Sequence, residues 1–158
     1  MSEENIRRAY HPELVILIVE DQILFGKDIK HALFKHKVVF ARSVEEAKQK
    51  YEEYIPHMTF LDIDLPDGTG FELLDFIRER EPEAYIAMLT GSKVEADVSL
   101  SQKKGARGYI IKPFTKSKIE QHLAQYLEFR EKQIKFSLQQ TEAHRKAELY
   151  LAPNMIIT

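Results

Sequence analysis

The chain is expected to fold as a doubly wound α/β domain, a mainly parallel five-stranded sheet with helices on both faces. Two observations predict this. Five short apolar or β-branched runs recur at about one βα spacing: "LVILIV" from Leu14, "KVVFA" from Lys37, "MTFLDI" from Met58, "AYIAMLT" from Ala84 and "GYII" from Gly108. Between the runs lie segments with helical start and stop signals, and parallel strands need crossovers of about that length.

Each element has its own local reason. The run from Leu14 to Val19 is the longest apolar stretch and reads as a buried first strand. The connection "LFKHKVVF" lacks a glycine before the second strand, so the first helix and second strand are expected to be short or irregular. Ser43, with Glu46 three residues on, forms a capping box that opens "SVEEAKQKYEEY". In "GFELLDFIRERE", Phe71, Leu74 and Ile77 or Arg78 fall at helical spacing, and the helix stops before Pro82. "SKVEADVSLSQKKGA" ends in Gly105, which suits a left-handed helix terminator. From Thr115 no glycine or proline interrupts the chain until Pro153, so one long helix is expected, with Ile119, Leu123 and Leu127 as its buried stripe and Ile134 and Leu138 continuing the apolar line. The organisation read from this is a flexible N-terminal lead over 1–13, a domain over 14–127, and a helical extension with a short tail over 128–158.

Composition excludes several classes. With 25 acidic against 23 basic residues the net charge is −2, so strong attraction to nucleic acid or an anionic membrane is not expected. No cysteine is present, which excludes disulfides, zinc–thiolate sites and cysteine nucleophiles. No apolar run could span a bilayer, and the N-terminal "MSEENIRRAYHPE" lacks the apolar core of a signal peptide, so a cytoplasmic protein is expected.

The chemistry sits at the strand ends. "MTFLDIDLPDGTG", Met58 to Gly70, is an apolar run that ends in Asp62, Asp64 and Asp67 with a proline and two glycines among them. Carboxylates at the edge of a core call for a positive partner, because an unpaired buried charge costs several kcal/mol. The first run ends in Glu20 and Asp21, the third in Asp62, the fourth in Thr90, and the fifth in Lys112 followed by Pro113. If the strands are parallel, all of these meet at one edge of the sheet, where sites of such folds form. Clustered carboxylates suit a hard cation such as Mg²⁺. Lys112 adds a fixed charge and Thr90 a hydroxyl, so the edge could hold a phosphoryl group.

In its order of marks the chain resembles a response-regulator receiver domain, from about Leu14 to Leu127. The marks are "VED", "LDIDLPDGTGFELL", "LTGS" and "GYIIKPF", each at its own strand. The resemblance implies a flavodoxin-like sheet of order 2-1-3-4-5. It also implies that Asp62 is the phosphoacceptor, and that Glu20, Asp21, Asp62 and the backbone carbonyl of Asp64 hold Mg²⁺. Thr90 and Lys112 would contact the phosphoryl group, Tyr109 would be the aromatic switch residue, and the bond to Pro113 would be cis. The phosphodonor would be a sensor histidine kinase or a phosphotransfer protein. The chain would catalyse its own phosphorylation and dephosphorylation rather than act on a foreign substrate. Output would pass to a protein target through the fourth helix, fifth strand and fifth helix, and the C-terminal helix could pair two copies. Glu20 stands where an aspartate is commoner in this family, and Asp64 adds negative charge next to the acceptor.

Each mark taken singly has an ordinary explanation: a polar strand end, a helix cap, a turn in "LPDGTG". The six histidines show no ligand spacing and read as surface or packing residues. Two other readings stay open. A haloacid-dehalogenase-like phosphohydrolase would use the Asp-x-Asp of "LDIDLPDGTG", although there that strand normally precedes the second acidic cluster; turnover of a free phosphate ester would mark it. A receiver-like scaffold that is never phosphorylated would work through the long helix as an interaction module; failure of Asp62 to label would mark that.

Overall fold

A computed structural model describes residues 13–22, 29–91, 95–113 and 115–151, with the side chains of 147–151 left aside. Five parallel strands form one sheet: β1 (Val15–Val19), β2 (Lys37–Ala41), β3 (Met58–Leu61), β4 (Tyr85–Thr90) and β5 (Gly108–Ile111). Their order is β2-β1-β3-β4-β5, as expected, with β1 and β3 at the centre. A two-residue antiparallel ladder, Asp64–Leu65 with Gly68–Thr69, stands apart from this sheet.

The strands alternate as a sheet covered on both faces requires. Leu17, Val19, Leu61, Ile86 and Met88 belong to one buried cluster. That cluster also holds Val44, Ala47 and Tyr51 of helix α2 (Val44–Tyr54) and Leu73, Leu74 and Ile77 of helix α3 (Gly70–Arg80). The intervening Ile16, Ile18, Phe60, Ala87 and Leu89 are equally buried. They alternate with the first set and so face the other side of the sheet. There helix α5 (Lys116–Leu151) sets Tyr126 edge-on to Tyr85 of β4, with ring centroids 5.3 Å apart. Residues 29–32 are helical and are labelled α1; Ile29 and Leu33 are buried. Helix α4 (Glu95–Lys103) buries only Ser101.

Several local expectations hold. Ser43 caps α2, its Oγ accepting the Glu46 amide at 3.1 Å, while Glu46 Oε2 accepts the amide of Arg42 at 2.9 Å, one residue before the cap. Gly105 has φ of 91°, the left-handed region. A Cβ at Gly105 would lie 2.6 Å from Arg78 Nε, and the same Arg78 donates to the carbonyls of Pro82, Ala84 and Gly105. Thus one guanidinium ties the end of α3 to the start of β4 and the turn after α4.

Three local expectations are corrected. Strand β2 is regular: all five residues pair with β1, from Val15–Lys37 to Val19–Ala41. The glycine missing from "LFKHKVVF" is not needed, since the turn closes through a His36 amide bond to the Leu33 carbonyl at 2.9 Å. In α3, Leu73 is fully buried beside Leu74 and Ile77, whereas Phe71 is half-buried. In α5, Ile119 and Tyr126 are buried but Leu127 is 36% exposed. A helix turns about 100° per residue, so Tyr126, seven residues after Ile119, stays on the packed stripe and Leu127 moves off it.

The chain divides into a unit over Pro12–Tyr126 and a second that takes in the helix from Leu127. In that second stretch, described by itself, Glu128–Lys132, Glu131–Lys135 and Glu142–Lys146 are ion-paired, each at 3.1 Å. This glutamate-before-lysine order at i, i+4 suits an exposed helix. Ile134 is buried, while Phe136 and Leu138 are exposed. The expected flexible lead, Phe114 of "KPF", Pro153 and the apolar tail lie outside the described residues.

Candidate functional site: an acid triad with an internal cation

Strand register assembles the site. Val19 of β1 pairs with Leu61 of β3, so the next residues, Glu20 and Asp62, emerge side by side. Each is held by one more backbone bond: the Glu20 amide to the Ala41 carbonyl at 3.0 Å, and the Asp62 amide to the Val19 carbonyl at 3.0 Å. On the other side Thr90 pairs with Ile111, and the Lys112 amide donates to the Thr90 carbonyl at 2.8 Å. Four chemical residues from four strands therefore reach one edge: Thr90 closes the last ladder pair of β4, and Glu20, Asp62 and Lys112 each stand one residue beyond the last pair of their own strands.

The geometry answers the question raised by "LDIDLPDGTG". Asp62 is 5% exposed, and its Oδ2 accepts from Lys112 Nζ at 2.7 Å. Its Oδ1 accepts the Asp64 amide at 3.2 Å. Glu20 is 4% exposed; Oε1 accepts the Gln22 amide at 3.0 Å, and Oε2 forms an ion pair with the same Lys112 ammonium. The positive partner is thus internal. Asp67 has a different one: it caps α2 from across the chain, its carboxylate accepting the amides of Val44 at 2.7 Å and Glu45 at 3.0 Å. Those two bonds hold the exposed Asp67 carboxyl below the usual aspartate range. Asp64 is exposed on the tight ladder, opposite Thr69.

Electrostatics follow from burial. Desolvation pushes the Glu20 carboxyl up to about 7, against the pull of Lys112 and the Gln22 amide. Burial works against the Lys112 ammonium as well, but hydrogen bonds to Asp62 and Glu20 outweigh it and raise its pKa above the ordinary lysine value.

Ligand atoms of Glu20, Asp21 and Asp62 all lie within 4.8 Å of one another, with Asp21 exposed at the open side. Glu20 Oε2 is buried and faces the Lys112 ammonium as an ion pair. Three converging carboxylates, two of them buried and sharing one ammonium, fit an oxygen-coordinated divalent cation such as Mg²⁺.

Thr90 is fully buried at the end of β4. Tyr109 is half-buried and packs against the core cluster. It pairs with Met88, two residues before Thr90, so Thr90 and Tyr109 share one face of the sheet. The Lys112–Pro113 peptide is cis, as expected.

Two contributors were not singled out from sequence as parts of the site. A Cβ on Gly70 would lie 2.1 Å from the carbonyl oxygen of Asp62, so only glycine lets α3 start against that backbone. The Gly70 amide also donates to the Ile63 carbonyl at 2.7 Å. The signal was present as the glycine in "GTG", but its contact depends on a chain reversal. Gln22 contributes only its amide, which no side-chain motif reveals.

Among the described residues no helix is long and apolar enough to cross a membrane. Residues 16–124 match the model of the response regulator receiver domain. The chain is 33% identical over 100 residues to the photosynthetic apparatus regulatory protein RegA of Rhodobacter capsulatus, covering 62% of this chain and 54% of that protein. It therefore spans about half the length of that relative. With the chemotaxis protein CheY of Listeria monocytogenes it shares 31% identity over 109 residues, 67% of this chain and 92% of that one. A crystal structure of a CheY-like receiver domain protein from Methanospirillum hungatei superposes with a TM-score of 0.72 at 29% identity, over 77% of this chain and 98% of that one. Sheet order, the acids at the ends of β1 and β3, and these similarities agree: the chain belongs to the response regulator receiver domain family of two-component signalling.

Proposed function

We propose that this domain accepts a phosphoryl group on Asp62 from a phosphohistidine donor, a sensor kinase or a phosphotransfer protein, and thereby switches a protein-binding surface. The observation that carries the reading is the Lys112 ammonium held 2.7 Å from Asp62 at the edge of an acid triad. Glu20, Asp21, Asp62 and the Asp64 backbone carbonyl would hold Mg²⁺, which when bound balances the charge of the transferring group. Asp62 Oδ attacks phosphorus in line, so that an O–P bond forms as the donor's N–P bond breaks. Lys112 pairs with the phosphoryl oxygens, and water later cleaves the acyl phosphate.

The switch follows from Thr90 and Tyr109 lying on one face. New acceptor oxygens on Asp62 draw the Thr90 hydroxyl, and the space it leaves admits the Tyr109 ring. The surface of α4, β5 and α5 then changes shape. Helix α4 suits such a part, because it buries one side chain and is tied at its far end by Lys104 to Asp75 at 2.7 Å and by the Arg78 bond to Gly105. The domain would act in the cytoplasm, with output through protein rather than nucleic-acid contacts. Exposed Phe136 and Leu138 favour pairing of two copies through the helix, with Ile134 excluded from that surface by its burial. Leu138→Asp should then lower the mass found by sedimentation; an unchanged mass refutes pairing there.

The test of the main reading is intact mass after incubation with acetyl phosphate, with and without Mg²⁺, alongside Asp62→Asn. A metal-dependent gain of one phosphoryl group, absent in the variant, is expected. No gain in the wild-type chain would overturn the reading and favour a scaffold that works through its long helix.

A further inference from the structure

Two positive charges have a claim on one carboxylate. Glu20 is divided between partners: Oε1 takes the Gln22 amide at 3.0 Å, and Oε2 faces Lys112 Nζ. The same ammonium lies 2.7 Å from Asp62 Oδ2, so it sits between the two buried members of the triad. A divalent cation taken up by the triad draws on the carboxylates of Glu20 and Asp62, which already share the ammonium and whose ligand atoms lie within 4.8 Å of each other and of Asp21; Mg²⁺ holds such oxygens at about 2.1 Å. Two carboxylates that hold a cation and an ammonium together set those like charges against each other within a few ångströms. The exposed Asp21, outside the ion pairs of Lys112, is the only triad acid that the ammonium leaves uncommitted among the described residues.

We infer that Glu20 sets the affinity of this site for divalent cations by holding Lys112: the Glu20–Lys112 ion pair is a latch of the metal-free state, and a cation must displace it to bind. Side-chain length is what makes the latch. Aspartate at the same backbone position would keep a carboxylate in the triad but withdraw it by about one carbon–carbon bond, ~1.5 Å. The pair with Lys112 then opens, while Lys112 keeps its bond to Asp62. Once the cation is in place, the released end of Lys112 is available to the phosphoryl group. The inference rests on the reading of the triad as a cation site and adds to it which side chain controls loading.

The test is titration of the metal-free protein with magnesium chloride, read by calorimetry and by the rise in melting temperature, for wild type, Glu20→Asp, Lys112→Met and the double variant. Glu20→Asp is expected to bind about three- to tenfold tighter, the effect of releasing one charge-assisted contact. Lys112→Met should also bind tighter, and adding Glu20→Asp to it should bring no further gain, since the latch is already gone. A folded Glu20→Asp protein that binds magnesium no tighter than wild type overturns the latch while leaving the cation site standing. If that variant does not fold, weaker binding by Lys112→Met overturns it in the same way. Absence of binding by every chain, wild type included, overturns both the latch and the cation-site reading.

Discussion

Replacing Lys112 by methionine should destabilise the domain in a way that depends steeply on pH. The substitution keeps an aliphatic stem of similar length and removes the ammonium that lies between Glu20 and Asp62, which are 4% and 5% exposed. Removing one partner of a buried ion pair typically costs about 3–5 kcal/mol, because the charge left behind stays desolvated. Near pH 8 a loss of about 3 kcal/mol is expected, since among the described residues the two facing carboxylates keep only the Gln22 and Asp64 amides. Glu20 offers a way out by taking up a proton. Its carboxyl already titrates near 7 in the folded protein against an ordinary 4.5, and loss of the lysine removes a group that holds it down. A folded-state value above the unfolded one means that the native chain binds the extra proton. The contribution of Glu20 to stability is therefore greatest below 4.5 and is lost as pH rises through about 7, with a slope of up to about 1.4 kcal/mol per pH unit. In the variant this window extends upward, so the deficit should shrink to about 1 kcal/mol near pH 5. Urea unfolding in the presence of a chelator, followed by circular dichroism at both pH values, measures the two gaps. Equal gaps, or no loss near pH 8, would refute the argument that Lys112 is the counter-charge of a buried acid pair.

Gly70→Ala must move the start of α3 away from Asp62 by about 1 Å, because its Cβ would stand 2.1 Å from the Asp62 carbonyl oxygen; overpacking of this kind costs about 1–3 kcal/mol, and thermal unfolding reads it. An unchanged melting temperature would show that the close approach is not needed. Asp67→Ala removes the acceptor of the Val44 and Glu45 amides and should lower the melting temperature, with Asp67→Asn falling between the two. Equal melting for all three chains would deny the cap. His57→Phe leaves the Val15 amide, now bonded to His57 Nδ1 at 2.9 Å, without its acceptor, and should cost about 1 kcal/mol in urea unfolding. No loss would return His57 to the role of a simple packing residue.

His57 marks a limit of local sequence pattern. By sequence His57 and His36 look like surface or packing groups, yet each accepts an amide at the start of β1, Val15 at 2.9 Å and Leu14 at 3.1 Å. No local pattern announces this, because the partners are 42 and 22 residues away. Asp67 is similar: within "LPDGTG" it reads as a turn residue, and only folding brings it under the first amides of α2. The irregular β2 expected from "LFKHKVVF" failed for the same reason. A strand's regularity is decided by the neighbour it pairs with, here β1 along all five residues.

What the sequence by itself determined is the alternation of strands and helices, the sheet order that its resemblance implied, and the chemical residues at each strand end. These are legible because hydrophobic periodicity, caps and breakers act over a few residues, and because a parallel sheet sends every strand's carboxyl end to the same edge. Tertiary structure alone decided how those residues share charge. Register through β1, β3, β4 and β5 places one ammonium between two buried carboxylates, leaves Asp21 open, and brings the backbone of Asp62 against Gly70. Coulomb and desolvation energies depend on distances of a few ångströms between residues some 40 to 90 positions apart, and no local rule of sequence carries such distances.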